Sequence, residues 1–168
     1  MSAHPPSQPG RSRCVRGLND YEYCFSLHVE GGSFPPEAVT SLVGIEPRSS
    51  HSRGERRVNR RGEVREGVWP SHYWSAPMPT VPDASLSESV QALVSRLKAN
   101  SDPFAKLSME GARISLFVGI FSNRLCDDEF PATLLAELGQ LGIALRLDYY
   151  GNESVTQLVE DVTQQSRP

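Results

Sequence analysis

The chain has 168 residues, of which 38% are hydrophobic and 22% are charged, and its formal net charge at pH 7 is −3. This composition is typical of a soluble globular protein with its own core, and the total charge gives no general attraction to nucleic acid. The sequence has no apolar run of 18 residues and no apolar secretory stretch, which predicts a cytoplasmic protein without membrane contact. The three cysteines fit no ligand spacing, so we expect reduced thiols.

One folded domain is predicted between two unstructured ends. Residues 1–18 hold three prolines, several Ser and Arg, and no periodic apolar positions, which predicts a disordered tail. Residues 19–163 are expected to form a single α+β domain. Residues 164–168 are expected to fray.

The first half of the domain begins with an alternating segment. Residues 21–29 place apolar and polar side chains in turn, which predicts a half-buried strand. A short helix is predicted over residues 35–44, since proline and an acid suit its first turn and glycine its end. Residues 46–67 are polar and are predicted to be mostly loop. Residues 68–76 predict a second strand, at an edge or with a bulge because of Pro70.

The second half contains a capped helix followed by strands and helices in alternation. Ser85 and Glu88 form a capping-box pattern at the start of a helix of about three and a half turns. A short helical turn is predicted over residues 103–109, a strand over 113–121, a helix over 131–141 and a strand over 143–150. A final amphipathic stretch has apolar residues at helical spacing, namely Val155, Leu158, Val159 and Val162.

A strand-to-helix pattern occurs twice along the chain. Phe25–Val29 leads to Phe34-Pro35 and to Gly44-Ile45, and Ile114–Val118 leads likewise to Phe130-Pro131 and to Gly142-Ile143. Two halves related by pseudo-twofold symmetry predict a two-layer α+β sandwich. Its expected sheet is antiparallel and ferredoxin-like (split β-α-β), with a helix inserted between strands 2 and 3.

The order and spacing of several short motifs resemble the domain of unknown function 4279 family. The motifs are the alternating strand, the Phe-Pro-Pro-Glu helix start, Gly44–Pro47, Ser52–Gly54, Tyr73–Ser75, Ile114–Val118 and Gly142–Tyr150. The resemblance covers roughly residues 20–150. It implies a small bacterial cytosolic domain, and it carries over no reaction and no catalytic residue.

Positive charge is concentrated between residues 48 and 65. This segment has seven Arg and two Glu, about +5, so the rest of the chain sums to about −8. It could bind an acidic protein, a phosphate or nucleic acid, the last being the least favoured. A solvated loop is the favoured interpretation of the segment by itself, because it lacks interleaved aromatics and charge runs are common on surfaces. The candidate partner-binding arginines are Arg53, Arg56, Arg57, Arg60 and Arg61.

The sheet face without helices is the second candidate surface. Its predicted members are Cys24, Ser26, His28, Phe117, Arg146, Asp148 and Tyr150, with His72 and Trp74 near them. Such a face suits a ligand, a peptide or self-association, and the alternative is a partly solvated sheet screened by a helix. Trp74 could instead be a core residue, as aromatics of its size often are. The candidate partner-binding residues from this region are His28, His72, Trp74 and Tyr150.

The sequence predicts no catalytic centre, no metal site and no cofactor. The histidines are scattered, and the consecutive acids Asp127–Glu129 fit no Zn or Ca spacing and are expected to cap the following helix. Cys24 and His28 lie four residues apart on a strand, about 13 Å, which is too far for a nucleophile–base pair.

Two classes of function stay open. The favoured interpretation is a non-enzymatic module that holds a protein partner or a second copy on the open face and the basic loop; an immunity role is one concrete form, by analogy only. The alternative is a small-molecule or nucleotide hydrolase with a site from His28, His72, Asp148 and the loop arginines. An enzyme should show a convergent pocket with perturbed His or Asp groups, and a module an exposed patch.

Overall fold

A computed structural model describes residues 15–16, 21–59, 61–123 and 126–151. Two residues of the predicted tail, Val15 and Arg16, form a short strand. The rest of that tail, Arg60, the final amphipathic stretch and the frayed end at 164–168 lie outside the described residues.

Eight strands are found in the described part of the chain. They are β1 (Val15–Arg16), β2 (Glu22–Gly31), β3 (Ser49–His51), β4 (Arg56–Val58), β5 (Val64–Val68), β6 (Tyr73–Met78), β7 (Ala112–Phe121) and β8 (Ile143–Tyr150). The main sheet has the order β3-β6-β2-β7-β8, and β1 pairs with the start of β2. Strands β4 and β5 form a separate antiparallel hairpin, which interrupts the segment predicted as loop.

Four helices among the described residues agree with the predicted positions. They are α1 (Pro36–Val43), α2 (Leu86–Lys98), α3 (Asp102–Met109) and α4 (Ala132–Gln140). The capping box of α2 is confirmed, because the Ser85 hydroxyl accepts the Glu88 N–H and the Glu88 carboxylate accepts the Ser85 N–H. None of these described helices is long and apolar enough to cross a membrane.

The acidic trio does not cap α4 as predicted. Pro131 stands at the N-cap of α4 without a side-chain hydrogen bond. Asp128 instead lies at the start of α2, where its carboxylate accepts the Leu86 N–H at 3.1 Å and the Tyr21 hydroxyl. The first turn of α2 offers free N–H donors, so a carboxylate from another part of the chain is stabilised there.

The α+β class is confirmed, but the sheet is mixed. Strand β7 pairs with β8 in parallel, so the prediction of an antiparallel sheet is wrong at this pair, and a ferredoxin-like topology is not evident. The other pairs of the sheet are antiparallel. In each copy of the strand-to-helix pattern, the strand after the helix runs parallel to the strand before it. In the second copy β8 lies directly beside β7, whereas in the first copy the short β3 is separated from β2 by β6.

The core lies on one face of the sheet. Alternate residues from Tyr21, just before β2, to Val29 of β2 are at most 3% exposed and form one cluster with buried residues of all four helices. The intervening β2 residues from Cys24 to Glu30 are half-buried. The helices therefore make one layer and the sheet the other, and the second face of the sheet is available to build a surface.

A candidate binding surface

Strand register shows which side chains share the face opposite the core. His28 of β2 pairs with Ser75 of β6 and Ser115 of β7, and Phe117 pairs with Ser26 and with Arg146 of β8. The same parity places Cys24, Ser26, His28, Phe117, Arg146, Asp148 and Tyr150 together, as the sequence predicted. We call this the open face.

A row of rings crosses the open face from β3 to β7. His51 stacks on Trp69 at 3.7 Å between ring centroids and on Tyr73 at 5.2 Å. Tyr73 meets His28 edge-on at 5.7 Å, and His28 stacks on Phe117 at 5.2 Å. These five residues form a continuous aromatic ladder over β3, β6, β2 and β7.

An arginine covers each end of the aromatic ladder. The guanidinium carbon of Arg57, from the hairpin, lies 5.1 Å from the centroid of the Trp69 ring. That of Arg146, from β8, lies 5.5 Å from the centroid of Phe117. Both distances are within the range of a cation–π contact. The ladder therefore joins the sheet to the basic hairpin and presents positive charge at both ends.

The two histidines of the ladder are uncharged near neutral pH. Burial lowers the pKa of His28, Glu30 opposes that change and Arg146 adds to it. Burial also lowers the pKa of His51, with Glu55 opposing and His72 adding. Neutral imidazoles stack as flat rings without the desolvation cost of a charge, which explains their place between aromatic neighbours.

Polar contacts hold the centre and the edge of the ladder. The Ser26 hydroxyl lies 2.8 Å from Nε2 of His28 and fixes that ring on its strand. The Arg113 guanidinium donates to the Glu30 carboxylate at 2.7 Å, so the acid nearest the ladder is already paired.

A second ring pair lies farther along the open face. Tyr150 of β8 stacks on Phe121 of β7 at 4.7 Å. Gly119 lies beside them, and a Cβ at this position would come within 3.2 Å of Cys24 Sγ and would make ordinary contacts with the rings of Phe121 at 3.4 Å and Tyr150 at 3.5 Å. The absence of a side chain at Gly119 therefore leaves room for the Cys24 thiol beside the two rings.

The hairpin is exposed on both faces. Every residue of β4 and β5 is exposed, including Val58 at 47%, Val64 at 65% and Val68 at 54%. Pairing places Val58 beside Val64 and Arg56 beside Val68. An isolated hairpin of two strands is only marginally stable in water. The contact of Arg57 with Trp69 is thus one of the links that join this hairpin to the domain.

Both glutamates of the basic segment are engaged within it. The Glu55 carboxylate accepts the Ser52 N–H at 2.8 Å, and that of Glu63 accepts from Asn59 at 2.6 Å and lies 3.9 Å from the Arg65 guanidinium. In the part of the chain that the structure describes, five arginines of the segment have no carboxylate partner, namely Arg48, Arg53, Arg56, Arg57 and Arg61. Their charge is therefore available to a ligand.

A shallow cavity of about 350 Å³ lies where the hairpin meets the open face. Its walls combine three rings of the ladder with polar groups: Glu30, His51, Arg57, Trp69, Pro70, Ser71 and Tyr73. This volume is at the low end of the range for small-molecule sites. It is large enough for one side chain of a partner, seated beside Trp69 and Arg57.

The predicted partner-binding residues lie in different parts of the structure. His28 belongs to the ladder, Arg57 covers its Trp69 end, and Arg53, Arg56 and Arg61 lie in the adjoining hairpin region. Tyr150 is on the open face at the far ring pair. His72 lies just before β6, where its Nδ1 accepts the Arg53 N–H at 3.2 Å and its carbonyl accepts the Gly31 N–H at 2.9 Å. These two contacts anchor the loop before β6 to the start of the hairpin region and to the end of β2.

The structure confirms the core interpretation of Trp74, so its placement beside the open face among the partner-binding residues is wrong. Trp74 pairs with Val29, so it points into the core, and only 1% of its surface is exposed. Its indole Nε1–H donates to the Thr40 hydroxyl of α1 at 3.0 Å. The side chain therefore ties the helix layer to the sheet and cannot contact a partner.

Sequence reasoning missed the rings nearest the basic segment. The segment was described as lacking aromatics, yet Trp69 follows β5 directly and lies under Arg57. His51 and Tyr73 pair across β3 and β6. The Trp69-Pro70 dipeptide was a usable signal, since proline there ends the strand and turns the chain back over the ladder.

Among the described residues there is no group of three or more His, Cys, Asp or Glu that could hold a metal ion. The two described cysteines, Cys24 and Cys126, are free thiols.

Comparison with known proteins gives one match. The family described as a domain of unknown function, DUF4279, matches residues 21–152, which includes the sheet, the hairpin and the helices described above. No curated protein and no solved structure matches the chain.

Proposed function

Since the chain belongs to the DUF4279 family, whose description assigns no activity, we propose a function from the surface itself: a non-enzymatic module that binds an acidic protein partner. The partner would contact the aromatic ladder of the open face and the arginines of the hairpin together. The observation that supports this proposal most directly is the continuous row of contacts from Arg57, through the five rings of the ladder, to Arg146.

The residue types of the ladder support protein binding. Tyrosine, tryptophan and arginine are the residues that most often dominate binding energy at interfaces. Here they are held rigid by their neighbours, because His51 stacks on both Trp69 and Tyr73. A partner would then lose little side-chain freedom of this module on binding.

The charge pattern supports an acidic partner. The hairpin arginines without carboxylate partners lie beside exposed valines, so a complementary surface would offer carboxylates around an apolar centre. A toxin-neutralising immunity role fits such a surface as one form of this proposal, by analogy.

A hydrolase is the second candidate, and one contact favours it. The Ser26 hydroxyl lies within hydrogen-bond distance of His28, as a nucleophile and base would. In the described part of the chain, the arrangement lacks two further elements of such a site: a carboxylate that orients the histidine and free N–H groups that stabilise an oxyanion. No carboxylate is hydrogen-bonded to His28, and the neighbouring N–H groups of β2 are used in the sheet.

Capture with matched variants tests the proposal. The full-length chain is immobilised and exposed to lysate of its native host, and retained proteins are identified by mass spectrometry. We expect one acidic protein in a stoichiometric amount, lost with Arg57→Glu and with Trp69→Ala, and retained with Arg96→Glu. Arg96 makes a fair control because it is an exposed arginine on α2, in the helix layer.

A second arm separates the two candidate functions. Ser26→Ala removes the hydroxyl of the Ser26–His28 contact and leaves all five rings of the ladder in place. The binding proposal expects normal capture by this variant. Capture that is insensitive to Arg57→Glu and Trp69→Ala, or an ester- or phosphate-hydrolysis rate abolished by Ser26→Ala, would count against it.

A further inference from the structure

The last strand of the sheet, β8, has a partner on one side only within the described residues. It pairs with β7, and the sheet order ends there. The strand lacks the proline, the lysine and the bulge that often protect an edge, and its two charged residues are of opposite sign, Arg146 and Asp148. Its exposed apolar side chains include Leu147 at 37% and Tyr149 at 65%.

The backbone direction of β8 determines which groups face outward. The carbonyl of Tyr150 accepts the Ser122 N–H, so it points toward the β7 side. Along a strand, successive residues direct their N–H and C=O groups to opposite sides. Leu145, Leu147 and Tyr149 therefore present theirs at the free edge, ready to pair with another strand.

The side chains of β8 are complementary to themselves. Arg146 and Asp148 precede and follow Leu147 in the sequence, and both lie on the open face, whereas Leu147 lies on the helix side. Arg146 is exposed and Asp148 is half-buried. If a second β8 lies antiparallel with Leu147 opposite its own copy, Arg146 of each chain lies directly opposite Asp148 of the other. Opposite charges in such directly facing positions stabilise a pair of strands.

Neighbouring registers are disfavoured by the same charges. Centring the pair on residue 146 places two arginines opposite each other, and centring it on residue 148 places two aspartates opposite each other. Like charges in directly facing positions are destabilising. In the register centred on Leu147, the residues whose backbone groups point to the free edge lie opposite one another, Leu147 against Leu147 and Leu145 against Tyr149. This arrangement allows about six backbone hydrogen bonds between the two strands.

From this geometry we propose that the chain forms a symmetric dimer through antiparallel pairing of β8 with β8 of a second copy, centred on Leu147. A two-fold contact of this kind closes on itself and consumes the free edge of both chains. The helix side of the junction then covers Leu147 and Tyr149 with apolar neighbours from the partner. The other end of the sheet is β3, so the hairpin and the Trp69 end of the ladder stay accessible, while Arg146 at the Phe117 end is shared with the dimer interface.

Sedimentation equilibrium of the full-length chain between about 1 and 200 μM tests the dimer. Either Arg146→Asp or Asp148→Arg places like charges opposite each other twice, and we expect each to weaken the dimer by about tenfold or more. The double variant with both changes restores opposite charges and should return the dissociation constant to within about threefold of the wild type. Arg65→Asp makes the same charge change in the hairpin and should leave the dimer unaffected. Circular dichroism confirms that each variant is folded.

Cysteine cross-linking tests the register. In a chain with Cys14, Cys24 and Cys126 changed to serine, Leu147→Cys places two thiols at the axis, about 5.5 Å apart between Cα atoms, and should give a disulfide-linked dimer. Ala144→Cys places them about 20 Å apart and should not. A monomer over the whole concentration range overturns the dimer. A dimer indifferent to the charge changes, or one that Ala144→Cys cross-links as well, overturns this interface.

Discussion

Changing Thr40 to valine should destabilise the protein, although the two side chains have nearly the same shape. The Thr40 hydroxyl accepts the indole N–H of Trp74 at 3.0 Å, and Trp74 is 1% exposed. Valine cannot accept a hydrogen bond, so the indole N–H would be left buried without a partner. An unsatisfied buried donor costs about 1–3 kcal/mol, so we expect a loss of about 2 kcal/mol in the free energy of unfolding.

Urea unfolding gives the measurement and Ser41→Ala gives the control. With a slope of about 2 kcal/mol per molar urea, the expected loss lowers the unfolding midpoint by about 1 M. Ser41 is the next residue of α1, and its side chain is exposed. Its hydroxyl donates to the carbonyl of Glu37, four residues earlier. Its change to alanine should shift the free energy of unfolding by less than about 0.5 kcal/mol.

A double-mutant cycle with Trp74→Phe isolates the contact. Phenylalanine has no N–H donor, so Thr40→Val should cost little in that background, and the two changes should be strongly non-additive. Equal costs for Thr40→Val in the two backgrounds would show that the hydrogen bond contributes nothing. A cost no larger than that of Ser41→Ala would refute the placement of Trp74 in the core.

Three further predictions concern titration and the ladder. The pKa of His28 is lower in the folded protein than in the unfolded chain, so the unfolded chain binds a proton at this imidazole first as the pH falls below about 6.5. Folding stability is therefore lost in acid, and His28→Phe should reduce that loss, measured by urea unfolding across about pH 5–7.5. Asp128→Ala removes the acceptor of the Tyr21 hydroxyl at the start of α2 and should cost about 1–3 kcal/mol by urea unfolding. Trp69→Ala opens the stack on His51 to water and should raise the pKa of that imidazole, measured by NMR titration.

Each of these has a defined contrary result. An unchanged acid dependence in His28→Phe would mean that His28 titrates alike in the folded and unfolded chains. An unchanged midpoint in Asp128→Ala would show that water replaces the carboxylate. A lower pKa of His51 in Trp69→Ala would mean that the indole ring does not shield this imidazole.

The parts of the fold that depend on local periodicity could be predicted from the sequence. Alternation along residues 21–29 gave the buried face of β2, and the Ser85–Glu88 pattern gave the start of α2. The same parity correctly placed His28, Phe117 and Arg146 on one face, because a strand has only two faces.

The order of the strands could not be predicted in the same way. A strand-helix-strand pattern fixes that the two strands run parallel, but it does not fix whether another strand enters between them. Strand β6 does so in the first copy, and no strand does so in the second. The aromatic ladder depends on this order, since His51 and Tyr73 meet only where β3 pairs with β6.

The two copies of the strand-to-helix pattern therefore differ at the two ends of the sheet, where the two proposed surfaces lie. Insertion of β6 moves β3 to the outer edge of the first copy, and the connection between them is long enough to carry the hairpin and Trp69. In the second copy α4 returns directly to β8 beside β7, and within the described residues β8 is the other end of the sheet. One arrangement creates the surface proposed for a partner and the other the edge proposed for a second copy. Arg57→Glu should therefore abolish partner capture and leave the dimer intact, whereas changes at Arg146 should affect both properties, because Arg146 also covers the Phe117 end of the ladder. Loss of both properties in Arg57→Glu would show that the two surfaces are not independent.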